Sequence, residues 1–207
     1  PLTHSLQATT DAANAFVQEA TPALCMAAHQ GLTEAVAVLL QHGADVAGEG
    51  QAGAPLHYAA VGGCVPVARY LLKAGADPMA LARSGGYTPL YLAALHARLD
   101  MLRMLLGLVP AAHVGATMTN GATALHGAAM SGSLDVVAAL LDAGADPNAR
   151  SDRGHTPRDY AELSFPGNKA LSEALGSGRG RTARGGEAPG AREVAGRDAA
   201  QGGRFVD

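Results

Sequence analysis

GAPLHYAAVGG, residues 53–63, is an almost wholly apolar run with one histidine, and related stretches recur along the chain. The shared leucine or its equivalent stands at positions 24, 56, 90, 125 and 158, so successive copies are 32 to 35 residues apart. Recurrence at one period of this length predicts a stack of repeated structural units. The other copies are PALCMAAHQG (22–31), TPLYLAALHA (88–97), TALHGAAMSG (123–132) and the more distant TPRDYAELSF (156–165).

A second element follows the first at a constant distance. LLQHGADV (39–46), LLKAGADP (71–78) and LLDAGADP (140–147) each begin 15 residues after the shared leucine. The pattern of each unit therefore predicts two short helices followed by a turn. One such helix pair cannot bury its apolar face alone, so we expect neighbouring units to stack.

The boundaries of the first helix in each unit are marked by capping residues. Thr88 and Pro89 are typical of a helix start, because threonine caps free amides and proline tolerates the first helical position. Gly63 and Gly132 are predicted to end their helices, since glycine accepts the left-handed conformation there. In the third copy Ala97 stands where the other copies have this glycine.

These coupled elements resemble the ankyrin repeat family, whose unit carries the pattern Thr-Pro-Leu-His-x-Ala. The resemblance covers residues 17–175. It implies an all-α fold, an ankyrin-type helix-turn-helix solenoid with short β-hairpin turns. The expected array has about four full repeats plus a C-terminal capping repeat.

Three segments follow from this resemblance. Residues 1–16 are an N-terminal cap or the remnant of a preceding repeat. DAANAFVQEATPAL (11–24) is similar to a family turn that would close a preceding repeat, so we expect that further repeats lay upstream. Residues 176–207 form a Gly/Arg-rich tail that is predicted to be disordered. The array between them, residues 17–175, divides into the repeats 17–48, 49–82, 83–117, 118–150 and 151–175.

Two parts of the array depart from the regular pattern. The segment from Gly107 to Asn120 lacks the Gly-Ala-Asp turn and contains Pro110, so an irregular connection is expected there. Asn168 is predicted to cap a last helix, Lys169 to Leu175, that presents a polar outer side to solvent. The inward side of that helix is predicted to consist of Ala170, Leu171, Ala174 and Leu175.

Composition argues against several classes of partner. The net charge of −3 predicts no strong attraction to nucleic acid or anionic membranes, and no apolar run is long enough to span a bilayer. RGRTARGG (179–186) is similar to RNA-binding Arg-Gly segments, but a simple linker or tail is the favoured interpretation. Two cysteines are too few for a disulfide framework, which favours a cytoplasmic or nuclear protein.

The histidine at position 57 is the first residue to suggest chemistry. It recurs as His126, a periodicity that a single catalytic or ligand group would not show. The ankyrin resemblance implies that both histidines hydrogen-bond structurally between a helix start and the adjoining loop. Cys25 and His29 have a spacing that offers two zinc ligands, but a closed site needs four, so we expect no metal, no cofactor and no catalytic residue.

Asn148 follows the Gly-Ala-Asp-Pro turn of the fourth repeat. The resemblance makes it a candidate for hydroxylation, because it matches the turn asparagine that some ankyrin proteins present for that modification. The alternative is an asparagine that only bridges adjacent turns.

The resemblance also implies a partner-binding surface made of the loop tips and the exposed ends of the first helices. Tyr87, Leu95, Val61 and Met130 are predicted to form an apolar stripe across the middle repeats, although Leu95 and Val61 would equally pack on the neighbouring repeat. The candidate contact residues are His29, Gln30, Gln51, Val61, Tyr87, Leu95, His96, Met130, Ser131, Arg153 and His155.

The predicted function is that of a non-catalytic interaction scaffold or adaptor, a monomer that binds another protein and has no small-molecule substrate. The alternative is the recognition portion of a larger enzyme or ubiquitin ligase whose other domains lie outside this chain. A fold by itself does not identify the partner.

Overall fold

The computed structural model describes residues 20–51 and 53–176. The predicted N-terminal segment 1–16 and the tail beyond Gly176 lie outside the described residues. Ten α-helices occupy the described part of the chain. They are α1 (residues 20–30), α2 (Thr33–Gln41), α3 (Pro55–Gly62), α4 (Val65–Lys73), α5 (Pro89–Leu95), α6 (Leu99–Leu106), α7 (Ala124–Ser131), α8 (Leu134–Asp142), α9 (Pro157–Ser164) and α10 (Lys169–Gly176).

The helices form two layers, because each repeat places its first helix beside the first helix of the next repeat. In this inner layer α3 contacts α5, α5 contacts α7 and α7 contacts α9. In the second layer α2 contacts α4, α4 contacts α6, α6 contacts α8 and α8 contacts α10. The structure is therefore a solenoid of stacked helix pairs, as the repeat pattern predicts, and it has the all-α ankyrin-type fold that the resemblance implies.

The shared leucines and the paired alanines of the first helices form the centre of the core. Leu24, Leu56 and Leu125 are essentially inaccessible to solvent, as are the alanine pairs that follow them. Small alanine side chains let neighbouring helices approach closely. With Trp absent and aromatic residues only 4% of the chain, this close approach replaces the bulk that large side chains usually supply.

The ends of the first helices follow the capping pattern. The amide of Tyr91 donates a hydrogen bond of 3.1 Å to Oγ1 of Thr88, and Pro89 occupies the first turn of α5. Gly63 and Gly132 end α3 and α7 with φ values of 76° and 72°. Ala97 takes the same left-handed turn with φ of 53°, which is the one positive φ of a non-glycine residue in the described chain. A left-handed conformation costs alanine about 1 kcal/mol.

The predicted β-hairpin turns are reduced to single bridges in this structure. Antiparallel bridges join Gly50 to Gly53 and Thr117 to Thr123. Between α6 and α7 the chain instead forms a short 3-10 helix, Ala111–His113, and buries Val114. The irregular connection expected after Gly107 is therefore present.

The last helix is capped as predicted, with one difference in its buried side. Oδ1 of Asn168 accepts a hydrogen bond of 3.2 Å from the amide of Leu171. Leu171 and Leu175 are buried, whereas Ala170 is exposed. The prediction was wrong for Ala170, because no further repeat packs over that side of α10 in the described chain.

Candidate partner-binding surface

His57 lies at the start of α3 and joins it to the following loop. Its Nε2 lies 3.0 Å from the carbonyl oxygen of Ala80 and 3.0 Å from that of Tyr87, and it donates to these two acceptors. The side chain is buried, and its Nδ1 has no hydrogen-bond partner within the described residues. The arrangement corresponds to a neutral imidazole that carries its proton on Nε2.

His126 occupies the equivalent place in α7 and has partners for both ring nitrogens. Its Nδ1 accepts from the amide of Thr123 at 3.1 Å and lies 3.0 Å from the Thr123 hydroxyl. Its Nε2 donates to the carbonyl oxygen of His155 at 3.1 Å. The ring also meets Tyr160 edge-on, with centroids 5.0 Å apart. These contacts connect repeat 4 to the loop and first helix of repeat 5.

Burial lowers the pKa of both histidines below the ordinary value of 6.5, mainly because the folded protein desolvates the charged ring. The unfolded chain therefore binds protons at a higher pH than the native protein does. Stability is fully present above the unfolded pKa and is lost as the pH falls below it.

Lowering the pH from about 7.5 to about 5.5 is expected to reduce the free energy of unfolding by about 2 kcal/mol. Urea denaturation at both pH values measures this change. As a control, replacing His96, an exposed histidine whose pKa is also lowered, with glutamine should leave most of this pH dependence intact. A free energy of unfolding that stays constant over this interval would contradict the assignment to His57 and His126.

The loops that precede the first helices lie side by side. The guanidinium of Arg83 and the carboxylate of Glu49 form an ion pair of 2.6 Å between two neighbouring loops. In the next pair of loops, the Thr119 hydroxyl donates to the carbonyl oxygen of Gly85 at 3.0 Å. In the pair after that, the amide of Asp152 donates to the carbonyl oxygen of Asn120 at 2.9 Å. Four loops are thus joined into one edge of the molecule.

The opposite ends of the first helices are joined by contacts to the next repeat. The thiol of Cys64 lies 3.4 Å from the carbonyl oxygen of His29. Nε of Arg98 donates to the carbonyl oxygen of Val61 at 2.9 Å. In each case the residue just before a second helix contacts the last turn of the preceding repeat's first helix.

The candidate contact residues fall into two groups by exposure. The exposed ones are His29, Gln30, Gln51, His96, Met130 and Arg153. The half-buried ones are Val61, Tyr87, Leu95, Ser131 and His155. Val61, Tyr87 and Leu95 pack against the core while keeping part of their surface open, and the Tyr87 ring lies 5.6 Å from that of Tyr91. Met130, which is 39% exposed, is the most open member of the predicted stripe.

A basic group lies at the ends of the first helices in the early repeats. Partial burial lowers the pKa of His96, and the nearby Arg98 and His29 lower it further. These three side chains, from repeats 1 and 3, therefore lie within electrostatic reach of one another. The repeated motif does not mark Arg98, because the equivalent positions hold Cys64 in repeat 2 and Ser133 in repeat 4 and so show no shared residue type.

The Cys25 and His29 pair does not present two ligands on one surface. Cys25 is buried, and burial raises the pKa of its thiol to about 11, whereas His29 is exposed. No group of three or more metal-ligating side chains occurs within residues 20–51 and 53–176. A buried, protonated thiol is a poor ligand and a poor nucleophile.

Asn148 is exposed in the turn after α8. Its amide donates to Oδ1 of Asp146 at 2.9 Å, in the way that Ala47 and Met79 donate to Asp45 and Asp77. The aspartates thus stabilise the repeated turn. Hydroxylation of Asn148 stays a prediction.

The sequence matches known repeat patterns over the same residues that form the helix pairs. The family described as "Ankyrin repeats (many copies)" matches residues 56–106, and "Ankyrin repeat" matches residues 21–48 and 120–152. The chain belongs to the ankyrin repeat family. An ankyrin array is a protein-interaction module that is generally non-catalytic in itself.

Several curated ankyrin proteins are similar to part of this chain. The B-cell lymphoma 3 protein homolog of Mus musculus is 36% identical over 59% of this chain and 28% of its own length. The tyrosine-protein kinase HTK16 of Hydra vulgaris is 36% identical over 51% of this chain and 14% of its own. The putative palmitoyltransferase ZDHHC13 of Danio rerio is 35% identical over 66% of this chain and 21% of its own length. The chain therefore spans 28% or less of the length of these three relatives.

Within the described ranges, each helix is too short or too polar to cross a membrane.

Proposed function

We propose that this ankyrin array is a non-catalytic scaffold or adaptor that binds a protein on the face of its first helices, which extends from the row of loops at one end of these helices to their last turns at the other. The observation that carries the proposal is the contiguity of the loops. Glu49 and Arg83 connect two of them, and hydrogen bonds from Thr119 and Asp152 extend the row. Separate repeats then offer one continuous surface instead of isolated patches.

The residues on this surface suit a protein partner. Met130 is an open apolar side chain, and Val61 and Leu95 add partly exposed apolar area nearby in the row of first helices. The basic group of His29, His96 and Arg98 adds polar side chains to the same row of helix ends. Apolar anchors surrounded by polar groups are typical of protein–protein interfaces.

Affinity capture with the full chain, read out by quantitative mass spectrometry, tests this proposal. The test variant is Met130→Glu combined with His96→Glu, because both side chains are exposed and should tolerate charge. Tyr87 is left unchanged, since its ring packs on Tyr91 and its replacement would disturb the fold. We expect the variant to bind the captured partner at least about tenfold more weakly.

Val38→Glu is the matched control, because Val38 is 53% exposed on α2 in the other layer. The control should keep the partner. If the double variant stays folded and captures the same partner as the wild-type chain with equal affinity, this face of the first helices is not the binding surface.

A second candidate is the recognition portion of a larger enzyme or ubiquitin ligase. Two of the similar proteins are named as a tyrosine-protein kinase and a putative palmitoyltransferase, and the similarity covers 14% and 21% of their lengths, which favours this candidate. Sequencing the complete transcript tests it. A reading frame without any catalytic domain would contradict this candidate and leave the scaffold proposal unchanged. A monomeric state and a cytoplasmic or nuclear location stay predictions.

A further inference from the structure

An open groove lies on the second layer of helices, away from the row of loops. It has a volume of about 450 Å³ and runs between α4 and α6. Its apolar lining comes from Leu72, Met104 and Leu108, and its polar lining from Arg69, Lys73 and Arg103. Gly107 completes the lining at the end of α6.

Two residues distinguish this groove from the equivalent positions of the preceding repeat. Where repeat 2 continues from its paired leucines with Lys73 and Ala74, repeat 3 has Gly107 and Leu108. Gly107 leaves the space above it open, since a methyl group there would come no nearer to another residue than 3.5 Å. Leu108 is 51% exposed, and together with Leu72 and Met104 it adds apolar surface to the groove.

The charge of the groove has one sign. Three of the nine Lys and Arg residues in positions 1–176 line it, and no acidic side chain does. The ion pair that the described residues contain, between Arg83 and Glu49, lies in the loops and does not neutralise the groove. Since the whole chain carries a net charge of −3, this cationic site is a local feature.

A smaller groove continues the same surface towards repeat 1. It has a volume of about 360 Å³ and is lined by Leu40, Gln41, Tyr70, Lys73 and Ala74. Lys73 borders both grooves. A single ligand segment about 20 Å long would cross α4 and reach from α2 to α6, because packed helices lie about 8–10 Å apart.

We propose that this outer groove is a second protein-binding surface, and that it takes an acidic segment of a partner carrying large apolar side chains. The apolar side chains would cover Leu72, Met104 and Leu108. The carboxylates would pair with Arg69 and Arg103, whose planar guanidinium groups bind carboxylates through two parallel hydrogen bonds. A nucleic acid would satisfy the charges but leave the exposed Leu108 without an apolar partner. This groove is separate from the face of the first helices, and the inference does not depend on the function proposed for that face.

Selection of a display library of random linear peptides against the full chain tests the proposal. We expect the enriched peptides to be rich in Asp and Glu and to contain large apolar residues. Arg69→Glu combined with Arg103→Glu should weaken their binding at least about tenfold, because each change replaces attraction with repulsion. Gly107→Glu should weaken it too, and it introduces no backbone strain because φ is −71°.

Three controls separate the outcomes. Gly107→Ala should bind the peptides as the wild-type chain does, and thermal melts should show that every variant remains folded. Met130→Glu with His96→Glu should also keep peptide binding, which distinguishes this groove from the face of the first helices.

Enrichment of neutral or basic peptides, or acidic peptides that tolerate the arginine changes, would overturn the proposal. The same holds if a random single-stranded RNA oligonucleotide, and no acidic peptide, binds in a way that Arg69 and Arg103 control. If the Met130→Glu, His96→Glu variant is the one variant that loses peptide binding, the proposal is also overturned, and the peptides bind on the face of the first helices instead.

Discussion

His126→Ala is expected to lower the free energy of unfolding by about 4 kcal/mol. The change removes a side chain that solvent does not reach and leaves a cavity between α7 and α9. It also takes away the hydrogen-bond partner of the Thr123 amide, and one of the two partners of the His155 carbonyl, which keeps its bond from the Ser151 amide. Each buried polar group without a partner costs about 1–3 kcal/mol. Chemical denaturation followed by circular dichroism measures the loss.

His113→Ala is the matched control, because that histidine is exposed in the connection between repeats 3 and 4. It should change the free energy of unfolding by less than about 0.5 kcal/mol. If the two variants are equally stable, His126 does not have the structural role that we assign to it. His126→Gln, which keeps hydrogen-bonding groups in the same region, should recover part of the loss.

Gly62→Ala is expected to destabilise the array by about 2 kcal/mol, although alanine usually favours a helix. Gly62 lies at the end of α3, where a methyl group would overlap the carbonyl oxygen of His29 in the preceding repeat. Neither partner in this contact can move without shifting backbone. The penalty therefore falls on the interface between repeats 1 and 2, and hydrogen exchange should show faster opening of α1 and α2.

Gly107→Ala provides the comparison for Gly62→Ala. Gly107 has an ordinary φ of −71°, and its added methyl group would have room. We expect a change of less than about 1 kcal/mol in either direction. Equal stability of the Gly62→Ala and wild-type chains would mean that the two repeats separate enough to admit the methyl group.

Most of the fold follows from features that act within one repeat. Thr88 and Pro89 begin a helix through local hydrogen bonding and a fixed φ, and Gly63 and Gly132 end helices because they accept positive φ. Such local effects repeat at every copy, so the sequence period predicts them. Ala97 is an exception, because it adopts the left-handed conformation at the same place although alanine disfavours it.

The candidate surface was less predictable than the fold. Helical spacing places Val61, Leu95 and Met130 near the ends of first helices, but their exposure depends on side chains of the next repeat. Leu95 and Val61 are half-buried, whereas Met130 is exposed, and their positions in the motif do not predict this difference. Arg98 reaches Val61 across 37 positions of sequence, and no local pattern marks that contact.

By itself the sequence determined the repeat period, the helix pairs, the capping residues and the family, because each depends on hydrogen bonds and packing that recur within about 33 residues. Only the tertiary structure decided what the repeats do to one another. It decided that Gly62 makes room for His29, that Tyr87 packs on Tyr91, and that α4 and α6 leave a basic groove between them. The physical reason is that burial and contact are set by atoms from neighbouring repeats, whose approach a linear pattern does not encode.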